Sequence, residues 1–63
     1  MIEVMIERWV NRDGGQDYLW SVWRDGSRVH MGGPHPTAEA AETEAREYCI
    51  EELGVTAERV TRL

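Results

Sequence analysis

Apolar and polar residues alternate at the start of the chain. Ile2, Val4 and Ile6 fall on one side of an extended backbone, and Glu3, Met5, Glu7 and Trp9 fall on the other. That period of two predicts a β-strand over Ile2–Val10. Asn11 to Asp17, with adjacent Gly14 and Gly15, reads as a loop. Tyr18–Arg24 is aromatic and β-branched, which predicts a second strand. Asp25-Gly26 supplies the positive-φ pair of a tight hairpin turn, so Ser27–Met31 returns as a third strand. Gly32-Gly33-Pro34-His35-Pro36 is expected to interrupt regular structure. Thr37 then stands as a helix N-cap, before a run of strong helix formers from Ala38 to Leu53. Within that run Ala38, Ala41, Ala45, Tyr48, Cys49 and Leu53 share one side at helical spacing, and Gly54 is placed to end the helix. The tail has two readings, a short fourth strand over Glu58–Leu63 or a last helical turn from Thr56. The expected architecture is α+β in the order β-β-β-α-β. It forms a single domain over residues 1–63, an antiparallel sheet with one helix packed on one face.

The second strand adds a complication. In Tyr18-Leu19-Trp20-Ser21-Val22-Trp23 both alternating sets are apolar, yet a single helix covers only one face of a sheet. If Ile2, Val4, Ile6, Trp20, Val22, Val29 and Met31 face the helix, then Met5, Trp9, Leu19 and Trp23 lie on the other face with Arg28 and His30. Tryptophan and arginine are enriched at binding hot spots, which makes Trp9, Trp23 and Arg28 candidate partner-binding residues. Two other readings are open. Trp23 closes the edge of the core while Trp9 lies along the sheet, or this face forms a homodimer. A dimer would ease the problem of a 63-residue chain, which buries only about 60% of its unfolded surface.

Charge shifts attention to the helix. The chain carries a net −5, and its seven basic residues are all arginine. Glu39, Glu42, Glu44, Glu47, Glu51 and Glu52 stand against Arg46 alone, so the helix holds −5 by itself, while residues 1–37 hold −1 and residues 54–63 hold +1. Like charges at i,i+4, such as Glu47 and Glu51, disfavour a helix. Charge runs are commonly no more than a solvated face. The functional reading is a surface complementary to a basic protein groove, with Glu39, Glu42, Glu44, Glu47 and Glu51 as the contact residues. Direct binding of nucleic acid is not expected, because displacing counterions needs a basic face.

Other chemistries find little to use. Cys49 is the only cysteine; a lone thiol suits a reducing compartment and excludes a disulfide within the chain. His30, His35 and Cys49 show no paired short spacing of the kind a zinc site requires, so no metal or cofactor is expected. There is no G-x-S-x-G, no phosphate loop and no H-E-x-x-H. A cysteine nucleophile would need an electropositive setting, whereas Cys49 sits among glutamates. Glutamates interrupt the apolar positions of Met1–Glu7, unlike a signal peptide, and no apolar run reaches the ~20 residues that span a bilayer. The expected location is the cytoplasm of a bacterium, or of a phage's host.

The run from Tyr18 to Leu53 is strand, hairpin, strand, Gly/Pro loop, threonine cap and then Ala38-Glu39-Ala40-Ala41-Glu42. It resembles the β-β-β-α-β partial RNase H-like fold of HicB-type antitoxins. It is also similar to the small acidic α+β proteins that phages carry as anti-CRISPR inhibitors. Both resemblances imply a non-enzymatic acidic protein that binds and blocks a nucleic-acid-handling protein. The expectation is a stoichiometric inhibitor of the anti-CRISPR type, with a HicB-like antitoxin or a homodimerising structural module as the alternatives.

Overall fold

The computed structural model describes all 63 residues. The strands are β1 (Ile2–Val10), β2 (Gln16–Arg24), β3 (Ser27–His35) and β4 (Arg59–Arg62). A helix, α1 (Ala38–Tyr48), continues through a wider π-helical turn at Cys49–Leu53. The sheet order is β3-β2-β1-β4. β1, β2 and β3 are antiparallel neighbours, and β4 pairs with β1 in parallel, Val4 opposite Val60. The protein is therefore α+β as the pattern predicts, with a mixed sheet where a purely antiparallel one was expected. The cause is the crossing helix: it reverses the chain after β3, so the next strand runs in the direction of β1 and takes the free edge beside it.

The helix lies on one face of the sheet. Ala41, Ala45 and Cys49, at i, i+4 and i+8, are completely buried against Ile2, Val4, Ile6, Trp20 and Val22. Three small side chains in a row let the helix axis come close to the strands, and Ala38, Tyr48 and Leu53 close the flanks. The predicted inward row of the helix is the observed one. Thr37 caps the N-terminus by accepting from Ala40 N at 3.1 Å. Gly54, at φ 69°, ends the π-helical turn in the left-handed conformation that costs glycine least. Asp25 and Gly26 both take positive φ in the β2–β3 hairpin, as their sequence predicts.

The register of β3 departs from the expected one. Counting back from the hairpin, Arg28 pairs with Trp23, but His30 and not Val29 pairs with Val22. Val29 is thus an extra residue, and a one-residue slip exchanges the two faces of everything beyond it. His30 moves to the helix side, and Met31 moves to the open side opposite Ser21. Gly32 comes to lie opposite Trp20. A side chain there would collide with the indole, since a Cβ on Gly32 would stand 2.5 Å from Trp20 Cζ2. The slip seats a glycine where the indole needs the space; a methionine, which an unslipped ladder would put there, has no room.

β3 also continues through Gly32-Gly33-Pro34 to His35, where an interruption was expected. A second irregularity between Trp20 and Tyr18 absorbs the proline. β3 is an edge strand, so the N–H that proline lacks is not missed by any neighbour.

Gly32→Ala is therefore expected to destabilise the fold as an overpacking substitution does, by about 1–3 kcal/mol. In a domain this small that lowers Tm on the order of 10 °C, with a change in Trp20 fluorescence. An unchanged Tm would show that the indole is not confined by this glycine.

Candidate functional site

The six helix glutamates do not form one surface. Arg62, reaching up from β4, contacts Glu39 at 3.4 Å and Glu42 at 3.1 Å, and Arg46 contacts Glu42 at 2.9 Å from the next helical turn. These two arginines hold the Glu42 carboxyl below its usual range, the Arg46 hydrogen bond being the larger cause. Glu44 is engaged differently. One of its oxygens accepts from Trp20 Nε1 at 2.7 Å and is also hydrogen-bonded to His35 Nε2. The His35 bond, and then the Trp20 bond, lower the Glu44 pKa. Glu47, Glu51 and Glu52 are exposed and take part in no ion pair. Of the predicted contact residues, Glu39, Glu42 and Glu44 are thus occupied within the fold. Glu47 and Glu51 remain free, joined by Glu52, a helix glutamate outside the predicted contact set.

The free carboxylates border a cleft between α1 and β3 of about 270 Å³. Its wall is aromatic. His30 and Tyr48 stack face to face, centroids 4.3 Å apart and planes 6° from parallel, with Trp20 tilted against both at 5.5 and 5.6 Å. The β3 slip creates this wall by turning His30 toward the helix. The sequence offered no sign of the stack, because the apolar alternation of Val29 and Met31 points to the opposite register.

The candidate aromatics lie on the far side of the sheet. Trp9 is 57% exposed and Met31 48%. With Leu19, Arg28 and Glu7 they line a shallow groove of about 240 Å³. Trp23 is half-buried on the same face, its Nε1 donating to Ser21 Oγ at 2.8 Å. Trp9, Trp23 and Arg28 therefore share the open face as expected, with Met31 in the place foreseen for His30. The expected site is divided: the sheet separates its tryptophans and Arg28 from its glutamates, and one flat partner surface cannot touch both.

Cys49 is fully buried, and desolvation pushes its thiol pKa up. No three His, Cys, Asp or Glu side chains converge as metal ligands. No helix is long and apolar enough to cross a membrane. No family model, curated protein or solved structure matches the chain.

A carboxyl whose pKa is lowered by folding binds fewer protons in the folded state. Its stabilisation is complete above the ordinary value of 4.5 and is lost as pH falls through the lowered one. Glu44→Gln keeps an acceptor for Trp20 but removes the charge. Its urea midpoint is expected to fall less than that of the wild type between about pH 5 and pH 3. Parallel declines would show that the Trp20–Glu44–His35 contact adds nothing to acid sensitivity.

Proposed function

We propose that the protein is a non-enzymatic, stoichiometric inhibitor of the anti-CRISPR type. It blocks a nucleic-acid-handling protein by presenting the C-terminal end of its helix to a basic groove. The observation that carries this reading is the position of the three unpaired carboxylates. Glu47, Glu51 and Glu52 occupy the last turns of the helical segment, where the backbone carbonyls already make the helix end negative. Anionic side chains in the last turn, here Glu51 and Glu52, typically cost 0.3–1 kcal/mol apiece, and the i,i+4 pair Glu47–Glu51 adds a few tenths. A face selected only for solubility would do better with mixed signs. Beside these carboxylates, the His30–Tyr48 stack and Trp20 offer aromatic surface on which an arginine of the partner can lie.

The remaining glutamates have a supporting part. By pinning Glu39, Glu42 and Glu44, residues Arg62, Arg46 and His35 fix the helix on the sheet and leave the free charge concentrated at one end. Charge complementarity of this kind acts chiefly on the speed and selectivity of encounter, and the aromatic wall acts on the rate of release. The reading assigns the partner a basic groove otherwise occupied by DNA or RNA, and it requires no cofactor.

Replacing Glu47, Glu51 and Glu52 together by glutamine should stabilise the free domain and weaken inhibition. Tm at low salt is expected to rise by roughly 2–4 °C as the repulsion at the helix end is relieved. Competition with nucleic acid for a partner recovered by affinity capture should weaken about tenfold or more, and the difference should shrink as salt rises from about 0.1 to 0.5 M. Equal competition by the two forms at low salt would remove the acidic end from the mechanism.

A further inference from the structure

We propose that the open face of the sheet pairs with the same face of a second copy of this chain, about a two-fold axis running along β2. The dimer then carries its two acidic helix ends outward, on opposite sides. This inference rests on the face that the proposed inhibitor contact leaves free, and the two stand or fall separately.

No element covers this face. Met5, Leu19 and Trp23 are half-buried on it, while Trp9, Met31 and Leu63 are largely exposed. Contiguous apolar surface of this kind on a small domain marks an interaction site.

Charge selects the occupant. The helix side holds the −5 of residues 38–53, whereas the open side of the sheet is close to neutral: Glu3, Glu7 and Asp17 against Arg28 and Arg59. Two copies can thus approach through this side while their like-charged helices stay at the greatest separation. Glu3 is already paired with Arg59 at 3.5 Å. Arg28 on β3 forms no ion pair, and it borders the apolar groove. A two-fold axis along β2 lays β1 of each copy over β3 of the other and leaves every position at its own height along the strands, so Arg28, in one row with Trp23 and Glu3, comes to lie over Glu3 of the other copy, twice. An axis across the strands would instead lay β1 on β1 and set glutamates against glutamates.

The register supports the first arrangement. Met5, Ser21 and Met31 form one row across three strands, so the same rotation places Met31 of each copy over Met5 of the other. Unbranched methionines fill such a seam well. The hydroxyl of Ser21, between them, accepts from Trp23 Nε1 at 2.8 Å, so the indole N–H enters the interface already paired. Facing sheets of this kind pack about 10 Å apart with strands roughly 30° from aligned.

Size sets the strength. Strands of nine residues are about 30 Å long, and the sheet is roughly 15–19 Å wide, so the two faces together bury on the order of 1,000 Å². That is the low end for a specific interface, which makes the dimer weak and concentration-dependent.

Sedimentation equilibrium of the full chain from micromolar to millimolar concentration tests this. The mass is expected to rise from 7.3 kDa to twice that value. Met31→Glu places a charge in the seam and should raise the dimer Kd by about tenfold or more, equivalent to about 1.4 kcal/mol. Arg28→Glu and Glu3→Arg should each weaken association, and the double variant should recover it to within about threefold of wild type, as a paired charge exchange does. Thermal unfolding of each variant at micromolar concentration separates lost association from lost folding, and all three positions are at the surface or half-exposed strand sites. A strict monomer at millimolar concentration overturns the proposal, whether the face then serves a different protein or none. A dimer indifferent to Met31→Glu, or single charge variants that the double variant does not rescue, overturns it equally.

Discussion

Trp20 is where β2, β3 and the helix are made to agree with one another. Its indole needs an empty place on β3, and Gly32 is that place. Its N–H, on a side chain almost wholly buried, needs an acceptor, and the Glu44 carboxylate on α1 supplies one at 2.7 Å. Leaving that donor unpaired would cost about 1–3 kcal/mol, a large share of the stability a domain of this size has to spare. Both demands are geometric. The first sets the register of β3, and the second fixes the rotation of the helix about its own axis. Once both are met, His30 has to fall beneath Tyr48 and His35 beside Glu44.

The close seating of the helix follows from different residues and leads to the same result. Ala41, Ala45 and Cys49 present almost no bulk to the sheet, so the helix lies near enough for Glu44 to reach Trp20. That proximity also brings Arg62 on β4 within reach of Glu39 and Glu42. Each exposed ion pair is worth little on its own. Their effect is distributive: they neutralise the start of the helix and leave the end unneutralised. A uniform acidic face in the sequence becomes a polarised one in the fold.

What could be read in advance, and what could not, divides along a physical line. The inward row of the helix, Ala38 to Leu53, its threonine and glycine ends, the Asp25-Gly26 turn and the alternation of β1 were all legible because each rests on contacts within a few residues. The face assignments of Val29, His30 and Met31 were not. Val29 and Met31 alternate as a buried strand should, and only the bulk of an indole on another strand shows that the alternation is broken by one residue. The pair Gly32-Gly33 was the available signal; it reads equally well as a loop and as a cradle for a large neighbour. The parallel pairing of β4 and the capture of Glu39 and Glu42 depend on where the chain returns after the helix, which no local pattern encodes. The candidate residues do not fall into the one site expected of them. Trp9, Trp23 and Arg28 were separated from Glu47 and Glu51 by the thickness of the sheet.

That separation changes how so small a chain can act. A sheet with one helix has two unlike faces, and here the unlikeness is nearly complete. One side holds the helix's excess negative charge, while the other is apolar and near neutral. If both served a single partner, the partner would have to wrap around the domain, at an ordering cost that an interface of this size could hardly offset. The two contacts proposed above, one to a basic groove and one to a second copy, would use each face for the chemistry it presents. The two proposed contacts would also account for the joint presence of the exposed tryptophan Trp9 and the unpaired glutamates, each unfavourable in an isolated domain, by giving each surface its own neighbour.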